Sequence, residues 1–361
     1  MRYRATGTGT WVWDAAKLLV LTLAAITAGL AVWQLTQVLL LLFGSVLIAV
    51  LLRGVAAPLR RFLPIGEGWS VILAALLIAA ALIAFLTLIG AQFLTQARAL
   101  LDTLPDLIAA TENRFGLNGL GRWLEDLQVR LFSDGGIVIN VASFSTNIFS
   151  LGAQLVVVVS AAIYLAINPR LYLEGFLLLV PQERQEKWRD TLETVGNALR
   201  LWLLGQLAAM ALIGTVTSLG LWLLGIPSAL ALGVFAGLFE FVPYVGPVLS
   251  AIPAIIVGLG QGVDTALWVL LFYVVIQQAE GILITPLIQQ RSVDLPPVIT
   301  IFAIIAFGAL FGALGVVLAT PLAVVCLVLV KKLWVREVLQ EDVAVPGDEE
   351  DEAAKRKEAA S

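Results

Sequence analysis

Two carboxylates, Glu240 and Glu280, stand inside apolar stretches, where an ionisable group is costly and is a functional candidate by default. Glu240 belongs to the run GIPSALALGVFAGLFEFVPYVGPVLSAIP, from Gly225 to Pro253. At about 1.5 Å per residue this run is long enough to cross a bilayer, yet Pro243, Gly246, Pro247 and Pro253 interrupt it. Backbone groups released by such breaks cannot hydrogen-bond to lipid, so they must lie in protein or beside water. Glu240, Pro243, Tyr244, Gly246 and Pro247 therefore form a candidate substrate or ion path. A second polar cluster, Gln277, Gln278, Glu280 and Gly281, interrupts the next apolar stretch, and Pro286 and Arg291 follow it. Positions 277, 280 and 281 share one helical face. Glutamine and glutamate there can coordinate a cation or hydrogen-bond a hydroxylated solute, while Arg291 can neutralise Glu280 or bind an anion. The competing reading is that these groups, with Gln206, bond one another and hold helices together.

The elements that position these residues must be membrane helices. The chain is 60% hydrophobic and 13% charged, with a mean hydropathy of +0.96, and long apolar runs recur from end to end. The expected fold is all-α and polytopic, with about eight membrane segments, two of them broken or hairpin-like. The segments fall near Ala15 to Trp33, Leu35 to Leu52, Ser70 to Phe93, Asn147 to Ile167, Leu201 to Leu224, Ala229 to Gly260, Ala266 to Ile288 and Pro297 to Val330. The expected organisation is N-terminal transmembrane helices over 1–93, an extracytoplasmic amphipathic helical loop over 94–146, and a transport core over 147–340. That core includes a cytoplasmic segment, 168–200, and a disordered acidic tail over 341–361 follows it. Basic residues at Arg53, Arg60, Arg61, Arg184, Lys187, Lys331 and Lys332 place those regions and both termini in the cytoplasm by the positive-inside rule. The first apolar run, lacking a cleavage site after it, reads as a retained span.

Several chemistries drop out. The chain has no histidine and one cysteine, Cys326, which removes Cys/His zinc sites, disulfides and histidine relays. It lacks a phosphate-binding glycine loop and a Ser-His pair, and GQGVD at Asp264 departs from the intramembrane aspartyl protease signature. No nucleophile and base can be assembled, so an enzyme, a cofactor, a metal site and a nucleic-acid partner are not expected.

A possible repeat organises the C-terminal half. Ile226-Pro227 and Leu295-Pro296 each open a long broken run, and Gly246 and Gly315 recur at the same offset, 296 − 227 = 315 − 246 = 69. If each run is a hairpin returning to its own side, the second unit is inverted relative to the first, as in many secondary transporters. If each is a single span, that inversion is lost.

GIPSALALGVFAGLFEFVPYVGPVLSAIPA, then VVIQQAEGILITPLI, then GALFGALGVVLATPLA followed by Lys331 and Lys332, resemble the successive signatures of the autoinducer-2 exporter family, or PerM-like permeases. The resemblance runs from about Ala15 to Leu339. One departure is Gln290, where the family usually has glycine before the residue matching Arg291. The resemblance implies a homo-oligomeric transporter of a prokaryotic cytoplasmic membrane, without nucleotide coupling. It is associated with export of a small polar solute such as autoinducer-2, or with sodium/proton antiport, so the expected partners are such a solute or a monovalent cation and proton, beside the lipid bilayer. A non-transporting scaffold is the reading from another class.

Overall fold

The computed structural model describes residues 10–84, 87, 141–284, 293 and 295–348. Among them there is no strand, and five helices are long and apolar enough to cross a membrane, or six if one bent pair counts as a span. The protein is a polytopic α-helical membrane protein. Its helices are α1 (Thr10–Phe62), α2 (Glu67–Ala84), α3 (Val141–Ile167), α4 (Pro169–Leu177), α5 (Gln182–Leu223), α6 (Ala229–Phe239), α7 (Val245–Leu259), α8 (Val263–Ala279) and α9 (Pro297–Leu329). The region expected as an extracytoplasmic loop lies outside the described residues up to position 140.

The N-terminus departs from expectation. The stretches read as two spans, Ala15 to Trp33 and Leu35 to Leu52, form the single helix α1. No glycine or proline lies between Gly29 and Gly44, so nothing stops the helix at Gln34. At about 1.5 Å per residue it reaches about 80 Å, more than twice a hydrocarbon thickness of about 30 Å. The turn that would have brought the N-terminus back to the Arg53 end is not made.

At that end, Leu52 and Ala56 of α1 pack with Val71 and Ala74 of α2 and Ala162 and Ala166 of α3. Arg53 Nη1 donates to Ala166 O at 3.2 Å, satisfying a carbonyl at the end of α3. Glu67 receives Arg53 at 3.4 Å and Arg60 at 3.6 Å. The chain then turns by 89° into α4, where Pro169 has no N–H to continue the α3 ladder.

The hub is α5. Its N-terminal half puts Val195, Leu199 and Trp202 into a cluster with Leu40 and Leu47 of α1 and Leu318, Val324 and Val328 of α9. Its C-terminal half meets α6 through Gly214, Ser218, Gly233 and Gly237. A Cβ on Gly233 would overlap Ser218, and one on Gly237 would crowd Met210 O. Small residues let the two backbones approach without relying on a hydrophobic force that lipid weakens.

Both broken runs turn back on themselves. In the first, Gln261 Nε2, past the end of α7, donates to Gly225 O, before the start of α6, at 3.1 Å. Ala229 and Leu232 of α6 share a buried cluster with Ala254 and Val257 of α7. α6 and α7 are therefore the arms of a hairpin that enters and leaves at one end of the bundle. In the second, Gly312 breaks α9 with φ 66° and ψ −148°. A Cβ on Gly315 would overlap Phe307 O, although residues eight apart lie about 12 Å apart along an unbroken helix. The two glycines aligned by the repeat, Gly246 and Gly315, thus occupy the same kind of place, each against the carbonyl of a phenylalanine on the preceding arm. The first hairpin has its base at the C-terminal end of α5. The second arm of α9 packs along the N-terminal half of α5, and Lys332 just beyond it donates to Thr194 Oγ1 at 2.5 Å. The two hairpins enter from opposite ends, as the inverted repeat requires.

A second correction concerns the tail. Residues 341–348, expected as the start of a disordered segment, fold back on α5, while those after 348 lie outside the described residues. Asp348 Oδ2 pairs with Arg336 Nη1 at 3.0 Å and lies 3.5 Å from Lys332 Nζ, which also reaches Asp190 Oδ2 at 2.8 Å. Arg336 Nε donates to Val343 O at 2.8 Å, Lys331 Nζ to Ala344 O at 3.1 Å, and Lys187 pairs with Glu337. Val345 is buried. Composition alone could not anticipate this, because Asp348 meets Lys332 and Arg336 just beyond α9, and Lys332 is in turn held by Asp190 on α5.

These placements predict that, in a Cys326→Ser background, cysteines at Gln261 and Glu341 react with an impermeant thiol reagent from opposite membrane faces, Gln261 from outside. Labelling of both from one face would contradict the first hairpin.

Candidate functional site

The tip of the first hairpin, Glu240 to Tyr244, is where the sequence placed its carboxylate and breakers. α6 stops at Phe239, and the turn closes through Glu240 N to Ala236 O at 3.0 Å, Val242 N to Phe239 O at 3.0 Å and Gly246 N to Val242 O at 2.8 Å. Pro243 and Pro247 need no partner for an N–H. Tyr244 carries φ 65°, a conformation seldom adopted by a non-glycine residue and one that needs support from its surroundings. That support includes Gly246, where a Cβ would overlap Phe239 O. Phe241 packs edge-on against Trp202 of α5, ring centres 5.8 Å apart. With 11 residues in α6, the tip lies about 16 Å from the base of the arm, roughly half the hydrocarbon depth.

Glu240 is 1% exposed. Gln206 of α5 donates its amide to the Glu240 backbone carbonyl at 2.6 Å, so this residue binds the tip of the hairpin. Among the described residues nothing donates to Glu240 Oε2. The group facing it is the Glu280 carboxyl, at hydrogen-bonding reach across from α8. Gln277 Nε2 donates to Glu280 Oε2 at 3.2 Å. At Glu280 the helix widens into a π-turn, Glu280–Ile284, of the kind often found at functional positions.

Two carboxyls in this relation form a hydrogen bond only when one carries a proton. Two unit charges about 4 Å apart repel by roughly 4 kcal/mol even at an effective dielectric near 20, and the C-terminal end of α6 adds a partial negative charge beside them. A proton or a cation between its members would relieve that repulsion, which makes the pair a candidate for handling one exchangeable charge.

The structure brings together Glu240, Gln277 and Glu280, with Tyr244 in the field of Glu280. Pro243, Gly246 and Pro247 shape the turn that carries them. Gln278 is exposed. Gly281 has open space where a Cβ would stand. Pro286 and Arg291 lie outside the described residues. Gln206, read from sequence as a residue that holds helices together, does so, and it holds the carbonyl of the acid itself.

A sequence model of the family described as AI-2E family transporter matches residues 19–334. The chain belongs to this family. It is similar to the "Putative transport protein MT0215" of Mycobacterium tuberculosis, at 27% identity over 87% of each chain. It also resembles the "Putative permease PerM" of Escherichia coli K12, at 26% identity over 65% of this chain and 68% of the other. With the "Putative transport protein YueF" of Bacillus subtilis it shares 32% identity over 143 residues, and that match spans about two-fifths of each protein's length. AI-2E family membership supports a transport role and points to no enzyme.

The packing at the tip separates two glycines of this AI-2E chain. Gly246→Ala should destabilise the purified protein by at least ~1–3 kcal/mol, as an overpacked buried site does, read as a lower melting temperature. Gly281→Ala should leave that temperature unchanged. Equal effects would contradict the packing at Gly246.

Proposed function

We propose that the chain is a secondary transporter of a prokaryotic cytoplasmic membrane, assembled as a homo-oligomer, in which a proton held by Glu240 and Glu280 is coupled to export of a small polar solute of the autoinducer-2 kind. The observation that carries this reading is the facing pair of carboxyls, one of them buried with an Oε2 that receives no donor among the described residues, at the tip of a hairpin that reverses near mid-membrane. Ionisable groups at that depth are retained where a charge is handled. The ends of α1 and α9 and the start of α5 carry Arg60, Arg61, Lys187, Lys331 and Lys332, which supports a cytoplasmic placement for that side.

Raising the pH strips the shared proton and leaves two charges that repel, so the tip is tightest when the pair is protonated. Release of the proton loosens the hairpin from α8, and reprotonation from the other face restores it. Sodium/proton antiport is the second reading, favoured by the same pair. A monovalent cation can replace the proton, with the Gln277 side-chain carbonyl free to join it because its amide nitrogen is the atom spent on Glu280.

The test uses proteoliposomes containing only this protein. Transport by the parent should depend on pH and collapse when the proton gradient is dissipated. Glu240→Gln should abolish that dependence while leaving the oligomer intact, and Glu280→Gln should do the same, because either amide removes the shared proton. A cysteine at Tyr244 in a Cys326→Ser background should react faster as pH rises, and at one rate when Glu280→Gln is added. Unchanged pH dependence in Glu240→Gln would remove the pair as the coupling site. Cation flux without solute flux would favour antiport, and no flux of either would favour a scaffold.

A further inference from the structure

Residues 169–180, expected within a cytoplasmic segment, turn away from α3 at a right angle. α3 has 27 residues, a length of about 40 Å that crosses the hydrocarbon by itself, and α4 departs from its end at 89°. We propose that α4 and the corner Leu178–Leu179 lie in the plane of the bilayer and enter the boundary between phospholipid headgroups and acyl chains, on the face that carries Arg53 and Arg60. The partner is the lipid surface, and the inference does not depend on what the chain transports.

Three observations carry it. The first is the division of α4 into faces, because residues four apart stand one above the other on a helix. Arg170 and Glu174 share one exposed face, and Tyr172 and Phe176 share another. Leu173 and Leu177 share a third, turned to the rest of the chain, with Leu177 buried. At about 3.6 residues per turn the aromatic face is directed away from the charged one. A charged face opposite an exposed apolar one is the pattern of a helix lying in a membrane interface.

The second observation is the backbone of the corner. Leu178 and Leu179 are 81% and 83% exposed, yet the amides there need no water. Leu178 N donates to Glu174 O at 3.1 Å, Leu179 N to Phe176 O at 3.0 Å and Val180 N to Leu177 O at 3.0 Å, while Pro181 has no N–H. Gln185 Nε2 of α5 reaches both Leu177 O and Val180 O at 3.1 Å. Exposed leucines on a backbone whose donors are all met suit lipid, which supplies no hydrogen bonds. The third observation is depth. Arg53, Glu67 and the Ala166 carbonyl mark the polar level at which α3 ends, and α4 begins three residues after Ala166. Trp69 and Tyr164, beside that level, are exposed, as aromatic residues at a membrane boundary are. Phe176 also meets Trp188 of α5 edge-on, ring centres 6.4 Å apart, so the in-plane helix sets the height of the hub.

The test places the full chain in phosphatidylcholine vesicles, in a Cys326→Ser background, with a nitroxide label on one introduced cysteine at a time. Each label is read by its collisions with oxygen, which concentrates in lipid, against those with a water-soluble nickel chelate. The oxygen-to-nickel ratio at Tyr172→Cys and Leu179→Cys should be severalfold higher than at Glu174→Cys, whose label should meet the chelate freely. Equal access of the chelate to all three positions would place α4 in water and overturn the proposal. Equal exclusion from all three would make α4 the second half of a broken span inside the hydrocarbon, which overturns it as well. So would spin–spin broadening between labels at Leu179→Cys on separate copies, which would show a second copy of the chain, and not lipid, covering the corner.

Discussion

A helix that reverses inside hydrocarbon must satisfy its backbone without water, and here both reversals depend on a glycine pressed against a phenylalanine carbonyl. Gly246 against Phe239 and Gly315 against Phe307 leave room for a hydrogen and nothing larger. The tight corner at the first tip lets its amides find carbonyls within the turn. The arm can therefore stop part-way across the membrane and present Glu240 there. Were the corner opened, the released carbonyls would face lipid and the acid would lose its fixed relation to α8.

The chain handles buried charge in two contrasting ways. At the end of the bundle carrying the basic residues, Lys332 is nearly buried but has Asp190, Thr194 and Asp348 around it, and Arg336 shares Asp348. Opposite charges there satisfy one another and tie the C-terminal segment to α5. Removing one member would strand another, so such a network is a structural commitment. At the first hairpin tip, two like groups face each other, and among the described residues the side-chain donor to the pair is the Gln277 amide on Glu280. A satisfied network holds a shape, whereas an acid pair lacking a counter-charge has an occupancy that changes with its proton or cation. This difference distinguishes Glu240 and Glu280 from the other acids described.

Much of this was legible in the residues. The broken run around Glu240, the acid in the next stretch and the offset of 69 between Gly246 and Gly315 needed only spacing and the cost of a break in lipid. That Glu240 and Glu280 meet was not legible, because the carboxyls come from elements about 40 positions apart and their approach depends on the α6–α7 hairpin and on where α8 ends. The N-terminal turn was misread since two apolar stretches suggested two spans, although Gln34 alone is a weak interruption and no breaker stands near it. The clasp at Asp348 was hidden for a related reason. A charged, aromatic-poor segment reads as solvated until its ionic partners are known, and here Lys332 is fixed in place by Asp190 and Thr194 of α5, far away in sequence.

The two hairpin tips are joined by packing. Phe241, next to Glu240, lies on Trp202 of α5. Trp202 belongs to the same buried cluster as Leu318 of the second hairpin and Leu40 of α1. A shift of the first tip would thus press on side chains that border the second. Because the hairpins enter from opposite ends, a rocking of one against α5 would act toward one face and the equivalent motion of the other toward the opposite face. Close-packed interiors transmit such movement as discrete repacking rather than gradual deformation. Contiguous contact through Trp202 is the physical means by which a change at the first tip can reach the second.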